Sequence, residues 1–149
     1  MSKTMTGGCQ CGRIRYSVEV EGEQAGLCHC RKCKKATGGF AAAIAMVQRS
    51  AVQWSREPDW YASSPVGRRA FCSSCGSPLG FAYVDPDEPE MDLYIGSFDE
   101  PGFFRPVAHG GAESLHEAWL DTKDLPRKRT AESAGVAKQW KAAGLEVPE

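Results

Sequence analysis

No stretch of this chain approaches the roughly 18 consecutive apolar residues that a membrane-crossing helix requires, so the sequence offers no candidate span. The opening Met1 to Gly8 lacks the apolar block of a secretory leader, and the chain reads as cytoplasmic. Net charge is nearly absent as well. With 18 basic against 19 acidic residues the balance is -1, too small for the broad positive field that holds nucleic acid or an anionic membrane surface. Nor does any internal repeat, low-complexity tract or linker divide the 149 residues. They are read as one domain, 1–149, long enough to bury an apolar core without disulfide support.

Cysteine is what the chain does have. Seven thiols fall in the order two, three and two: Cys9-x-Cys11, Cys28-x-Cys30-x-x-Cys33 and Cys72-x-x-Cys75. In a reducing compartment they are a poor disulfide frame, and an odd count leaves one unpaired in any case. Metal is the better reading, and seven soft ligands divide naturally as four and three. A closed structural zinc site takes four ligands from two separate turns, with neighbouring sulfurs about 3.8 Å apart. Cys9, Cys11, Cys72 and Cys75 meet that description if the N-terminal strand lies beside the Cys72–Cys75 knuckle. Cys28, Cys30 and Cys33 then form an open three-thiolate site whose fourth ligand is water, a substrate thiol or His29, and an open position on a metal is where chemistry occurs.

Blander readings compete. A lone buried cysteine usually serves as a small hydrophobe, but three within six residues are not explained by packing. Cys30-Arg31-Lys32-Cys33 has the spacing of a redox pair acidified by flanking bases, without the βαβ context of such motifs. His29 is read as orienting the site through a hydrogen bond; His109, in a loop, is a weaker candidate, and His116 has no distinguishing context. Arg31, Lys32, Lys34 and Lys35 either offset thiolate charge and capture the carboxylates of a peptide thiol or form a solvated basic turn. Lys34, Lys35 and His109 are the candidate substrate contacts. Arg127-Lys128-Arg129 is read as solvated surface, and Trp54, Trp60 and Trp119 as core or pocket wall.

Alternation predicts a strand over Arg13 to Val20 and a hairpin of Leu79 to Val84 with Met91 to Ile95; the continuous apolar run Phe40 to Val47 fits a core strand or a short buried helix, and Gly38-Gly39 in front and its shortness favour the strand. Val52, Trp54 and Trp60-Tyr61 predict a short strand pair about the Glu57-Pro58-Asp59 turn, so the core is a set of short antiparallel strands. From Ser97 the pattern weakens into a segment that wraps the sheet. Near the end, Thr130 is placed to cap an amphipathic helix over Ala131 to Ala143, with Val136 and Trp140 on the face that packs on the body.

Gly8-Cys9-Gln10-Cys11-Gly12, Cys28-His29-Cys30-x-x-Cys33, Phe71-Cys72-x-x-Cys75-Gly76 and the Gly96-Ser97-Phe98-Asp99 to His109 region together resemble the glutathione-dependent formaldehyde-activating enzyme family, which also includes centromere protein V. The resemblance covers about residues 5–125 and leaves 126–149 as a C-terminal extension. It implies a mainly β fold, an antiparallel β-tent with short helical pieces. It also implies structural zinc on Cys9, Cys11, Cys72 and Cys75 and a catalytic zinc on Cys28, Cys30 and Cys33; the four-plus-three partition makes the second zinc the more labile one. The implied activity is that of a carbon–sulfur lyase on thiol–aldehyde adducts of the glutathione and formaldehyde type. Lys34 stands where many members have arginine, and Gly110-Gly111 where an apolar pair is usual. The competing class is a non-catalytic module in which both zinc ions staple a small β domain that binds a partner.

Overall fold

In Arg15–Glu21 every second residue is apolar or aromatic, and the computed structural model, which describes residues 1–148, sets Tyr16, Val18 and Val20 inward on a strand, β2. Its neighbours β1 (Ser2–Gly8) and β5 (Val52–Trp54) pair antiparallel with its two edges and complete a three-stranded sheet. The remaining strands are β3 (Gln24–Cys28), β4 (Ala42–Gln48), β6 (Asp59–Ala62), β7 (Gly67–Phe71), β8 (Pro78–Tyr83), β9 (Glu90–Tyr94) and β10 (Arg105–Gly110). They form a seven-stranded sheet in the order β10-β3-β4-β9-β8-β7-β6. Both sheets belong to one compact unit, Met1–Leu115; a second unit begins at His116.

Apolar burial joins the sheets. Met5, Tyr16, Val18 and Val20 from the smaller sheet pack in one cluster with Ala45, Val47, Met91 and Leu93 from the larger, together with Phe98 and Phe104. Each buried Val, Leu, Met or Phe among them contributes on the order of 1.5–3 kcal/mol. Tyr16 meets Trp54 and Phe98 edge to face, at centroid distances of 5.3 and 5.5 Å. Because strand side chains alternate between faces, Asp92 and Tyr94 turn away from this cluster, as do Ile44 and Met46. Cross-strand pairing lines up Tyr61, Arg69, Phe81, Asp92 and Met46 as one row across that opposite face.

Asp92 in this row carries a testable cost. Burial pushes its carboxyl up to about 6, against the attraction of Arg69. A carboxylate raised on folding weakens the fold as pH climbs from its unfolded value near 4 to its folded value, and above that the penalty is constant. The displacement from 3.8 to about 6 is equivalent to at most about 3 kcal/mol. Asp92→Asn should therefore stabilise the protein by up to that amount at pH 8 and lose most of the gain at pH 4, as read by urea unfolding. A gain independent of pH would show that ionisation is not the cause.

The core strands and the β8–β9 hairpin stand where the apolar pattern predicts them, but other expectations are corrected. Val52–Trp54 and Asp59–Ala62 do not pair with each other. β5 joins β2 and β6 joins β7, because the connection through buried Pro58 carries the chain from one sheet to the other. The segment after Ser97 contains β10, which pairs parallel to β3 with a register shift between Pro106 and Ala108, so the strands are not all antiparallel. Proline has no N–H for the ladder and sits at an edge strand's irregularity. In the second unit the helix, α2, runs Ala134–Ala142, shorter than expected and with Ser133 rather than Thr130 at its N-cap; Thr130–Glu132 is a separate 3₁₀ turn. None of the α2 residues is buried. Trp119 is not a core residue either, at 62% exposed. No helix among the described residues is long and apolar enough to cross a membrane.

Candidate metal centres

Two tight turns build the first cluster. At the end of β1, Cys9 N donates to Ile14 O at 2.9 Å and Gly12 N to Cys9 O at 3.1 Å; after β7, Gly76 N donates to Cys72 O at 2.7 Å and Cys72 N to Ser77 O at 3.0 Å. Gly12 and Gly76 hold φ of 78° and 76°, the left-handed region that costs glycine little. The sulfurs of Cys9, Cys11, Cys72 and Cys75 lie within 4.8 Å of one another, with Cys9 to Cys11 at 3.6 Å and Cys11 to Cys72 at 3.8 Å. Those separations match the edge of a tetrahedron about a thiolate-bound ion, about 3.8 Å.

The surroundings favour thiolate at Cys72 and Cys75, whereas at Cys11 the Arg13 backbone bond is outweighed by the neighbouring Cys9 thiol and burial, which push it up to about 11. Ile14 N donates to Cys9 Sγ at 3.2 Å and Arg13 Nη1 to Cys72 Sγ at 3.8 Å. Hydrogen bonds from the Ser77 hydroxyl and backbone hold Cys75 down to about 5. Arg13 is fixed in turn by Asp59, 2.7 Å away, which also accepts from Ser73 N at 2.8 Å. Behind the sulfurs, Cys9 and Cys72 share a buried cluster with Ile14, Ala70 and Leu79, flanked by Trp54 and Trp60. The N-terminus of the chain is thus tied to its middle.

The second cluster stands at the end of β3. Cys28 closes that strand, Cys30 caps the helix α1 (Arg31–Thr37), and Cys33 lies in its first turn. Their three sulfurs also fall within 4.8 Å of one another. Cys30 Sγ accepts from Cys33 N at 3.4 Å, and α1 ends at Gly38 with φ of 71°. Burial pushes Cys33 up to about 12, opposed by the adjacent Arg69 guanidinium. Desolvation acts in the same sense on Cys30, but backbone N–H groups of Cys33 and Lys32 hold that thiol below its ordinary value.

β10 supplies the far wall. His29 N donates to Gly110 O at 2.9 Å, and buried His29 shares a 2.8 Å hydrogen bond between its Nε2 and His109 Nδ1. The hydrogen bond expected of His29 is therefore made to another histidine, and His109 belongs to a strand rather than a loop. Gly111 has φ of 60°, and a Cβ there would lie 2.7 Å from Cys30 N, so glycine is what allows this segment to close over the cluster. Lys34 Nζ donates to the Ser114 carbonyl, Lys32 Nζ to Ser63 O at 3.2 Å, and Lys35 is exposed on α1.

Arg69 and Tyr94 were not singled out from the sequence. Arg69 is 4% exposed; its Nη2 lies 3.6 Å from Cys33 Sγ, its Nη1 donates to the Tyr94 hydroxyl, and its guanidinium rests on the Phe81 ring. The available signal was a second arginine within a strand bounded by Ala70, Phe71 and Cys72, where a solvated side chain is not expected.

Comparison with known proteins places this geometry in context. A sequence model described as glutathione-dependent formaldehyde-activating enzyme matches residues 4–114. An uncharacterized lyase of Schizosaccharomyces pombe is 31% identical over 83 residues, which cover 56% of this chain and 61% of that relative's length. A crystal structure of a Rhodobacter sphaeroides protein superposes with a TM-score of 0.57 at 21% identity, covering 70% of this chain and 99% of that one. At that identity the likeness concerns the fold alone.

Proposed function

Because the chain belongs to the glutathione-dependent formaldehyde-activating enzyme family, we propose that it is a zinc-dependent carbon–sulfur lyase that breaks or forms thiol–aldehyde adducts, with glutathione and formaldehyde as the reference pair. The observation that carries this reading is the inequality of the two clusters, four sulfurs in one and three in the other. Cys9, Cys11, Cys72 and Cys75 are a complete donor set for a structural ion, whereas Cys28, Cys30 and Cys33 are one donor short of a tetrahedron. Zinc held by the latter three supplies a positive charge that lowers the pKa of an entering thiol.

This chain's own residues do the rest. Arg69 lies against Cys33 and offsets the charge of the thiolate cluster. The His29–His109 pair and the Gly111 segment fix the backbone around Cys28 and Cys30. Lys35, exposed on α1, is assigned to a glutathione carboxylate, while Lys34 is engaged with Ser114. The sulfur attacks the aldehyde carbon, the carbonyl electron pair moves to oxygen, and the oxygen takes a proton equivalent to the one the thiol lost. Cleavage is the reverse. Seven free thiols suit a reducing compartment, in keeping with a cytoplasmic setting.

The test is the rate of S-hydroxymethylglutathione formation and breakdown, followed by exchange NMR with ¹³C-formaldehyde at catalytic protein concentration. Acceleration above the spontaneous rate that disappears on chelation is expected. A zinc-loaded protein inert toward every thiol–aldehyde pair, with no thiol binding, would instead mark a zinc-stapled binding module.

A further inference from the structure

A cavity of about 150 Å³ opens beside the three-cysteine cluster, lined by Ala36, Tyr61, Arg69, Phe71, Pro78 and Tyr94 among others. Its position follows from the fold. Ala36 stands one helical turn beyond Cys33 on the same face of α1, and Arg69 bridges from Cys33 Sγ to the cavity wall. Aromatic side chains form much of the lining, with Tyr61 meeting Phe71 edge to face at 5.9 Å. Two polar groups converge on it. Arg69 is 96% buried by its 4% exposure, yet its Nε has no hydrogen-bond partner among the described residues. The Tyr94 oxygen accepts from Arg69 Nη1, which leaves the Tyr94 O–H free to donate elsewhere.

Size decides what such a space is for. A water molecule's share of liquid volume is about 30 Å³ and formaldehyde, with two heavy atoms, takes roughly twice that, whereas an apolar cavity of about 150 Å³ takes up benzene. A formaldehyde unit alone would leave most of this cavity unfilled. We propose that the cavity is an aldehyde subsite: Arg69 and Tyr94 hold the carbonyl or adduct oxygen, and the aromatic walls take a hydrophobic substituent of up to about benzene size. The substrate class is then the hemithioacetal adducts of larger aldehydes, not formaldehyde adducts alone.

This rests on the lyase reading for the chemistry. The thiolate sulfur bonds to the aldehyde carbon, the C=O electron pair passes to oxygen beside Arg69, and Tyr94 O–H donates a hydrogen bond to that oxygen. The proton that neutralises it equals the one released by the thiol, so no oxidant or reductant enters. Donors aimed at the oxygen that gains charge lower the barrier in both directions.

The binding half is tested without turnover. S-benzylglutathione and S-methylglutathione are titrated calorimetrically into the zinc-loaded protein, and the benzyl compound should bind at least about tenfold more tightly, as burial of a ring implies. Ala36→Leu, which fills the cavity from α1, should reduce that ratio about tenfold. The catalytic half compares Arg69→Gln and Arg69→Lys with the parent, using formaldehyde and benzaldehyde adducts of glutathione. Arg69→Gln should lose about 30-fold in kcat with the benzyl-to-methyl binding ratio retained, and Arg69→Lys should recover part of the rate. Equal binding of the two thioethers by the parent protein overturns the subsite. Preferential benzyl binding with no turnover of any adduct keeps the subsite and removes the lyase reading.

Discussion

Cys30→Ser is expected to lose more than about 100-fold in adduct turnover while melting within about 3 °C of the parent. The rate loss follows from the donor set. Removing one of three sulfurs from the open cluster takes away a ligand itself, and changes merely to groups behind ligands already cost 10–100-fold. Preservation of the fold follows from what Cys30 does locally. Its sulfur caps α1 by accepting from Cys33 N, and serine is among the best N-cap residues, so the hydroxyl can take over that bond. The apolar cluster joining the sheets contains no member of the three-cysteine group. Metal analysis should fall from two zinc ions per chain to one, with the surviving ion the slower to yield to a chelator. Should the variant unfold, Cys30 would be a structural ligand and the division of labour between the clusters would fail.

Cys72→Ser should behave in the opposite way, with a melting temperature lowered by more than about 10 °C. Cys72 is fully buried at 0% exposure, packed with Ile14 and Leu79. Its sulfur lies 3.8 Å from both Cys11 Sγ and Arg13 Nη1. Binding of a structural zinc is folding energy, and loss of one ligand forfeits a part of it. A serine hydroxyl in the same place also offers Arg13, which stays paired with Asp59, a poorer acceptor. Forfeiting about a quarter of the roughly 10–16 kcal/mol that a structural zinc supplies accounts for such a drop, since each kcal/mol moves the melting temperature of a domain this size by about 2–4 °C. A parent-like melting curve in Cys72→Ser would show that the four sulfurs carry no structural ion.

The cysteine spacing was legible because metal ligation is a local demand. Cys-x-Cys and Cys-x-x-Cys each set two sulfurs on one turn, and a tetrahedron needs two such turns, so the four-and-three division follows from counting. The β2 and β8–β9 strands were legible for a similar reason, since a half-buried strand must alternate, and β4 through its short continuous apolar run after Gly38-Gly39. Where that signal was absent the reading failed. All six β10 residues are exposed, so no alternation marks this edge strand, which pairs with β3. β3 itself carries Gly26 and buries only Ala25.

By itself, then, the sequence determined which cysteines group as four and three, because sulfur donors and glycine turns act within a few residues of one another, and it determined the β character through the pattern of apolar residues. Only the tertiary structure decided what surrounds the open cluster. His109 reaches His29 because β10 returns parallel to β3. Arg69 reaches Cys33 because the β6–β9 ladder turns one face toward α1, so that a buried guanidinium lies between a thiol and Tyr94. Such contacts join residues 36 and 80 positions apart in the chain. No local period encodes them, since they arise from how strands are ordered within a sheet.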